Sequence, residues 1–121
     1  MTATLNMAVI DELLALSEDG DPELLVDLIQ MYLDDSPAKM DSILRGVEAS
    51  DWERVERAAH ALKGSAGNLG AIHVQMECDR IQNACRAHQT GGVPDQAKSL
   101  QLLLRDANAA LRELLSRYRP L

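Results

Sequence analysis

Phenylalanine is absent from the 121 residues, and one tryptophan and two tyrosines are the whole aromatic complement. The core must therefore be built of Leu, Ile, Val, Met and Ala. That composition suits packed helices better than a sheet, because strands favour aromatic and β-branched residues. Positive charge is also scarce: 12 Lys and Arg stand against 19 Asp and Glu, for a net charge of −7. Phosphate contacts to nucleic acid need clustered Lys and Arg, so this balance argues against a nucleic-acid binder. No apolar run approaches the roughly 18 residues of a membrane span. The opening MTATLNMAVIDELL has no basic segment and soon meets Asp11 and Glu12, so no secretory leader is expected. Only two cysteines occur, Cys78 and Cys85. In a helix their backbones stand about 10 Å apart, too far for a disulfide between them. They read as small core residues of a reducing compartment, and a cytoplasmic location is expected.

What is present is a globular composition, 46% hydrophobic and 26% charged, on a chain long enough for one core and one domain spanning 1–121. No internal repeat or interdomain linker interrupts it. A short helix is expected over about Ala8–Ser17. Asp21 then looks like an N-cap with Pro22 at the first helical position. Leu24, Leu25, Leu28, Ile29, Tyr32 and Leu33 mark an apolar stripe that resumes through Met40, Ile43, Leu44 and Val47. Pro37 lies between the two halves and removes a backbone donor, so the expectation is a long helix kinked near Ser36-Pro37, or a true break there.

Ser50-Asp51-Trp52-Glu53 matches a capping box for a helix with Val55, Ala58, Ala59, Leu62, Ala66 and Leu69 on one face. Gly70 is placed to end it as the C′ residue. A further helix runs from Ile72 to about His88, with Val74, Cys78, Ile81 and Cys85 as its stripe. GGVP, Gly91 to Pro94, is the turn into a last helix of clean period: Ala97, Leu100, Leu104, Ala107, Leu111, Leu114 and Tyr118. The expected fold is all-α, an antiparallel four-helix bundle with a short extra N-terminal helix.

One stretch of this pattern is odd. HALKGSAGNLG, His60 to Gly70, has three glycines in a predicted helix. Each interior glycine weakens a helix by about 1 kcal/mol relative to alanine, a noticeable part of a small domain's ~5–15 kcal/mol. On a helical wheel the stripe centres near Leu62 and Ala66, and His60 falls roughly 140° away, on the outward side. Lys63, Gly64 and Gly67 fall on that same side. Helix packing does not explain glycines that face outward. A phosphate loop would need GxGxxG or GxxxxGK after a strand, and neither is present. The remaining explanation is that another macromolecule approaches the backbone closely around His60. A neutral imidazole is a nucleophile near neutral pH. If the group it takes is phosphoryl, Lys63 one turn along supplies compensating charge.

Ala59-His60-Ala61-Leu62-Lys63-Gly64-Ser65, followed by Leu69-Gly70-Ala71, resembles the signature of the histidine-containing phosphotransfer (HPt) domain family of multistep two-component phosphorelays. The resemblance extends to architecture, a helical bundle of this size. It implies that His60 is phosphorylated, that Lys63 stabilises the phosphoryl group, and that Gly64 admits the active site of a partner receiver. By its place on the wheel, Gly67 is read as part of the same docking surface. Family members often place a glutamine on the following helix to bond the histidine. Gln82, twenty-two positions after His60, is the counterpart, and Arg86 one turn on adds charge at the docking surface. Ser65 reads as a small structural residue facing a neighbouring helix.

The implied function is a shuttle of phosphoryl groups between receiver-domain aspartates in a two-component phosphorelay. The implied partners are response-regulator receiver domains, such as that of a hybrid histidine kinase, with the chain itself a monomer. No ATP motif is present, so another protein delivers the phosphate, and catalysis falls mainly to the receiver. No cofactor is expected on this chain, Mg²⁺ belonging to the receiver. Cys85 and His88 have a metal-compatible spacing but no third and fourth ligand, so no metal site is expected. The competing reading is a helical adaptor that binds receivers or other signalling proteins without passing phosphate. It would be favoured by loss of the histidine, and His60 is present.

Overall fold

The computed structural model describes residues 4–119. It contains α1 (Met7–Ala15), a single 3₁₀ turn (Glu18–Gly20), α2 (Glu23–Glu48), α3 (Trp52–Asn68), α4 (Ile72–Arg86) and α5 (Val93–Tyr118). Among the described residues there is no strand. Helices α2 to α5 pack in chain order around one core, each against the next, and α5 closes the ring against α2. The short connections make neighbours antiparallel. Leu25, Ile29, Ile43, Leu62, Ile81, Leu100 and Leu111 are wholly buried at the centre. The fold is the all-α, antiparallel four-helix bundle with an extra N-terminal helix that the pattern predicts. No helix among the described residues is long and apolar enough to cross a membrane.

Helix α2 runs through Pro37 without a break. Its buried positions Leu25, Ile29, Tyr32, Ser36, Met40 and Ile43 keep one helical stripe on both sides of the proline, while Pro37 itself faces solvent. The stripe passes through Ser36, and Asn108 of α5 satisfies that buried hydroxyl at 3.2 Å. Burial along 26 residues thus outweighs the hydrogen bond that proline removes. At the start of α2 the N-cap is Pro22, one residue later than expected and without a side-chain cap bond, while Asp21 Oδ1 accepts from the Glu23 amide at 3.0 Å from just outside the helix.

The capping box at Ser50 is not what forms. Asp51 caps α3, accepting from the Arg54 amide at 3.2 Å. Ser50 instead closes α2: its φ is 51°, its amide reaches Val47 O at 3.1 Å, and the Asp51 amide reaches Gly46 O at 2.8 Å. That is a Schellman motif with Ser50 at the left-handed position. A residue committed to ending one helix has no side-chain geometry left to begin the next.

The corresponding stop at the end of α3 uses Gly70, with φ 72°, a Gly70 amide bond to Gly67 O and an Ala71 amide bond to Ala66 O. This glycine has a second duty. The Asn6 amide donates to Gly70 O at 2.8 Å, and a Cβ at residue 70 would stand 2.7 Å from Asn6 O. The segment leading into α1 is thereby strapped across the end of α3, the helix that carries His60.

Candidate functional site

Ala59, Leu62 and Ala66 turn inward from α3 and are fully buried. The same helical period leaves His60, Ala61 and Gly64 exposed. Nothing lies within 4 Å of where a Cβ of Gly64 would be, so the backbone one turn beyond His60 is open to solvent. Gly67 differs. A Cβ there would stand 2.9 Å from Gln75 Nε2, because a side chain from α4 already covers it. The space beside the backbone is therefore open at Gly64 and filled at Gly67.

Between α3 and α4 the polar side chains pair in three rungs. In the middle, the Gln82 side-chain amide lies 2.9 Å from His60 Nδ1. Three residues on in α3 meets three residues back in α4: Lys63 Nζ is 3.1 Å from Asp79 Oδ1. Four residues back in α3 meets four on in α4: Arg86 Nε is 2.6 Å from Glu56 Oε1. Antiparallel helices of equal pitch dictate this symmetry, since i+3 and i+4 neighbours share a face. Asn83 reinforces the Lys63 rung, donating to Asp79 Oδ2 at 3.3 Å.

Gln82 is 1% exposed, although it bonds a surface histidine. Its amide faces Nδ1 through nitrogen, and this leaves Oε1 buried with no partner. Rotating the amide by half a turn places Oε1 against the ring nitrogen instead. There it accepts the Nδ1–H bond, fixes that tautomer and leaves Nε2 with a free lone pair. The rotation satisfies the orphaned acceptor and moves the unmet bond to the amide NH₂, and it is the arrangement a nucleophilic histidine needs. Among the described residues, Nε2 has no hydrogen-bond partner of its own.

A match to the Hpt domain family model extends over residues 27–119, which takes in all three rungs. The chain belongs to the Hpt domain family. Its relatives include histidine-containing phosphotransfer protein 4 of Arabidopsis thaliana, 28% identical over 109 residues, which cover 88% of this chain and 83% of that one. Multistep phosphorelay regulator 1 of Schizosaccharomyces pombe is 27% identical over 99 residues, 79% of this chain but only 34% of that protein. In fold, the chain is similar to the crystal structure of histidine-containing phosphotransfer protein B from Pseudomonas aeruginosa, with a TM-score of 0.88 over 98% of this chain and all of that one, at 21% identity. Family membership makes this a phosphotransfer domain of the phosphorelay type.

Within this Hpt domain, the structure brings His60, Lys63, Gln82 and Arg86 onto one α3/α4 face, with Gly64 beside them. Two partners escaped the sequence reading: Asp79 and Glu56. Lys63 and Arg86 look like free cations in sequence, yet each is held by a carboxylate from the opposite helix. A signal for both was available. Once His60 and Gln82 are taken as one rung of an antiparallel pair, the positions three and four residues away follow. Ser65 Oγ donates to Ala61 O at 3.2 Å or Leu62 O at 3.3 Å within its own helix and accepts from Lys39 Nζ of α2 at 3.5 Å.

Proposed function

We propose that His60 is the residue that takes and passes on the phosphoryl group, moving it from one receiver-domain aspartate to another. The observation that carries this reading is the His60–Gln82 rung: an exposed imidazole whose Nδ1 is engaged at 2.9 Å by a buried amide. In the forward step the Nε2 lone pair attacks phosphorus and the bond to the aspartyl oxygen breaks, returning a carboxylate to the receiver. Nδ1 keeps its proton, hydrogen-bonded to Gln82 Oε1. In the onward step a second carboxylate attacks phosphorus and the N–P bond breaks. Lys63 and Arg86 lie on either side of His60 and offset the charge of the bound phosphoryl group. Open space at Gly64 lets the receiver come close. The Mg²⁺ that such transfer uses is assigned to the receiver, whose groups supply most of the catalysis. The reading takes the partners to be cytoplasmic receiver domains, that of a hybrid histidine kinase among them, and the Hpt domain to act as a monomer.

Incubation with a phosphorylated receiver tests this directly. Wild type should acquire acid-labile, base-stable phosphate, and the His60→Gln variant should acquire none. A wild-type chain that binds the receivers of its own cell but takes label from none of them would make the domain an adaptor instead.

A further inference from the structure

The two flanks of His60 differ in charge. Toward α4, the rungs described above pair each cation with a carboxylate. Toward α2 the situation is reversed. A shallow open groove between α2 and α3 is lined by Ala38, Lys39, Ser42, Arg54, Arg57 and Ala58. It contains three cations and no acid, on a chain whose net charge is −7.

Of the nine Lys and Arg residues elsewhere, six are ion-paired, Arg45, Lys63, Arg80, Arg86, Arg105 and Arg117, and the other three, Lys98, Arg112 and Arg119, are spread along α5 and its end. Among the described residues, Lys39, Arg54 and Arg57 have no such partner. Their neighbours are hydroxyls, with Lys39 Nζ 3.5 Å from Ser65 Oγ and Arg54 Nε 3.0 Å from Ser42 Oγ. A serine orients a cation without neutralising it. The acids nearest in sequence are Asp35 and Asp41 on α2 and Asp51, Glu53 and Glu56 at the start of α3. Asp41 is held by Arg45 at 2.8 Å, Glu56 by Arg86 at 2.6 Å, and Asp51 caps its own helix.

The groove adjoins the site. Arg57 lies one turn before His60 on the side of α3 that faces α2, and the residues between them and the open backbone are Ala61 and Gly64, both exposed and small. A surface that reaches Nε2 can therefore lie across the groove without meeting a large side chain. The groove is too open for a small-molecule pocket, which is concave and encloses most of its ligand.

We infer that the α2/α3 groove is the docking flank for the acidic rim of the receiver domain, and that it steers the receiver onto His60 from the α2 side. The inference rests on the phosphotransfer reading, because it takes the partner to be a receiver, whose phosphorylated aspartate and Mg²⁺-binding groups make its active face anionic. Charge complementarity of this kind acts mainly on encounter: it raises association rates by 10- to 1,000-fold where the field is strong, and it is screened by salt.

The test compares two triple variants of equal net charge. Lys39→Gln/Arg54→Gln/Arg57→Gln empties the groove, whereas Lys98→Gln/Arg112→Gln/Arg119→Gln removes three exposed cations from α5 and its end. Stopped-flow transfer from a phosphorylated receiver is measured against receiver concentration and salt. The groove triple should lose roughly tenfold in the second-order constant at low salt and show a flattened salt dependence. Its transfer rate at saturating receiver should stay within about twofold of wild type, as should every constant of the α5 triple. Arg57→Gln alone removes an exposed side chain without a bonding partner, and should show part of the loss with an unchanged melting temperature. Equal losses in both triples, or none in the groove triple, would overturn the inference. So would retention of wild type on vesicles of phosphatidylglycerol and phosphatidylcholine that the groove triple loses while its receiver kinetics stay normal. A wild-type chain that takes no phosphate from any receiver is a separate result, and strikes the phosphotransfer reading itself.

Discussion

Lys63 Nζ lies 3.1 Å from Asp79 Oδ1, so the cation next to the reactive histidine is already committed to a carboxylate before any phosphate arrives. The Asp79 side chain is 51% exposed, and such surface pairs contribute about 0–1 kcal/mol. A dianionic phosphoryl group on His60 therefore competes for Lys63 with a weak but real rival. Asp79 thereby limits how tightly phosphate is held, which suits a carrier that must release it. Asp79→Asn should lengthen the life of phosphohistidine and shift the transfer equilibrium toward the phosphorylated Hpt domain by about two- to fivefold. Quantifying label on both partners at equilibrium reads this, and an unchanged or reversed ratio would remove the role assigned to Asp79.

Gln82 allows a separation of catalysis from stability. It is buried, and in either amide orientation one of its polar atoms needs a partner inside the protein. Gln82→Leu, of similar volume, removes that burden along with the bond to Nδ1, so stability should change by less than about 1 kcal/mol. Transfer should nevertheless slow by roughly tenfold or more, because the tautomer is no longer fixed. Nitrogen NMR of the His60 ring should show Nδ1–H dominant in wild type and mixed tautomers in the variant. A wild-type ring protonated mainly at Nε2 would contradict the amide orientation argued above.

The two interior glycines should respond differently to side chains. Gly64→Gln adds a good helix former in open space and should raise stability by about 0.5 kcal/mol, yet slow transfer by obstructing the receiver. Gly67→Ala meets Gln75 Nε2 at 2.9 Å, and that flexible side chain has to give way. Its stability gain should fall short of the full ~1 kcal/mol of helix propensity, with transfer near normal. Thermal melts and single-turnover rates on both variants suffice. A Gly64→Gln domain that transfers at the wild-type rate would remove the explanation of that glycine.

The wheel that separated Gly64 from the core could not separate it from Gly67. Both lie outward of the Leu62 stripe, and only the position of Gln75 on a neighbouring helix distinguishes them. The bundle itself was legible because each long helix carries one continuous apolar stripe, even α2, where burial on both sides of Pro37 overrides the proline. The caps were less so. Ser50 and Asp51 are both good N-caps by residue type, and the choice between them is made by how α2 ends. His60, Lys63 and Gln82 announce themselves through the family signature and its spacing. Asp79 and Glu56 do not, because an acidic residue on an exposed helix face looks solvated until the opposite helix is in register. The groove cations share that obscurity, as Lys39 lies fifteen residues from Arg54 in sequence.

Alkaline pH should destabilise the domain from within its core. Burial, and then the neighbouring Glu77, push the Cys78 thiol up to about 12 from its ordinary 9.0, although Lys63 pulls the other way. Burial and Glu56 raise the Cys85 thiol, and burial, followed by Cys78, raises the Tyr32 phenol. In each case the unfolded chain gives up its proton first. Above about pH 9 the folded state therefore holds more protons than the unfolded one, and stability falls as pH rises. The stabilisation is complete below the unfolded values and is lost progressively toward the folded ones, with a slope of up to about 1.4 kcal/mol per pH unit for each group. Urea midpoints should accordingly be level from pH 7 to 8 and decline from pH 9 to 11, with a shallower decline in Cys78→Ala. The folded thiol at residue 78 should also resist alkylation at pH 8 until urea exposes it. Midpoints that hold steady to pH 11 would show that neither thiol is as well shielded from water as its place among the α4 stripe residues requires.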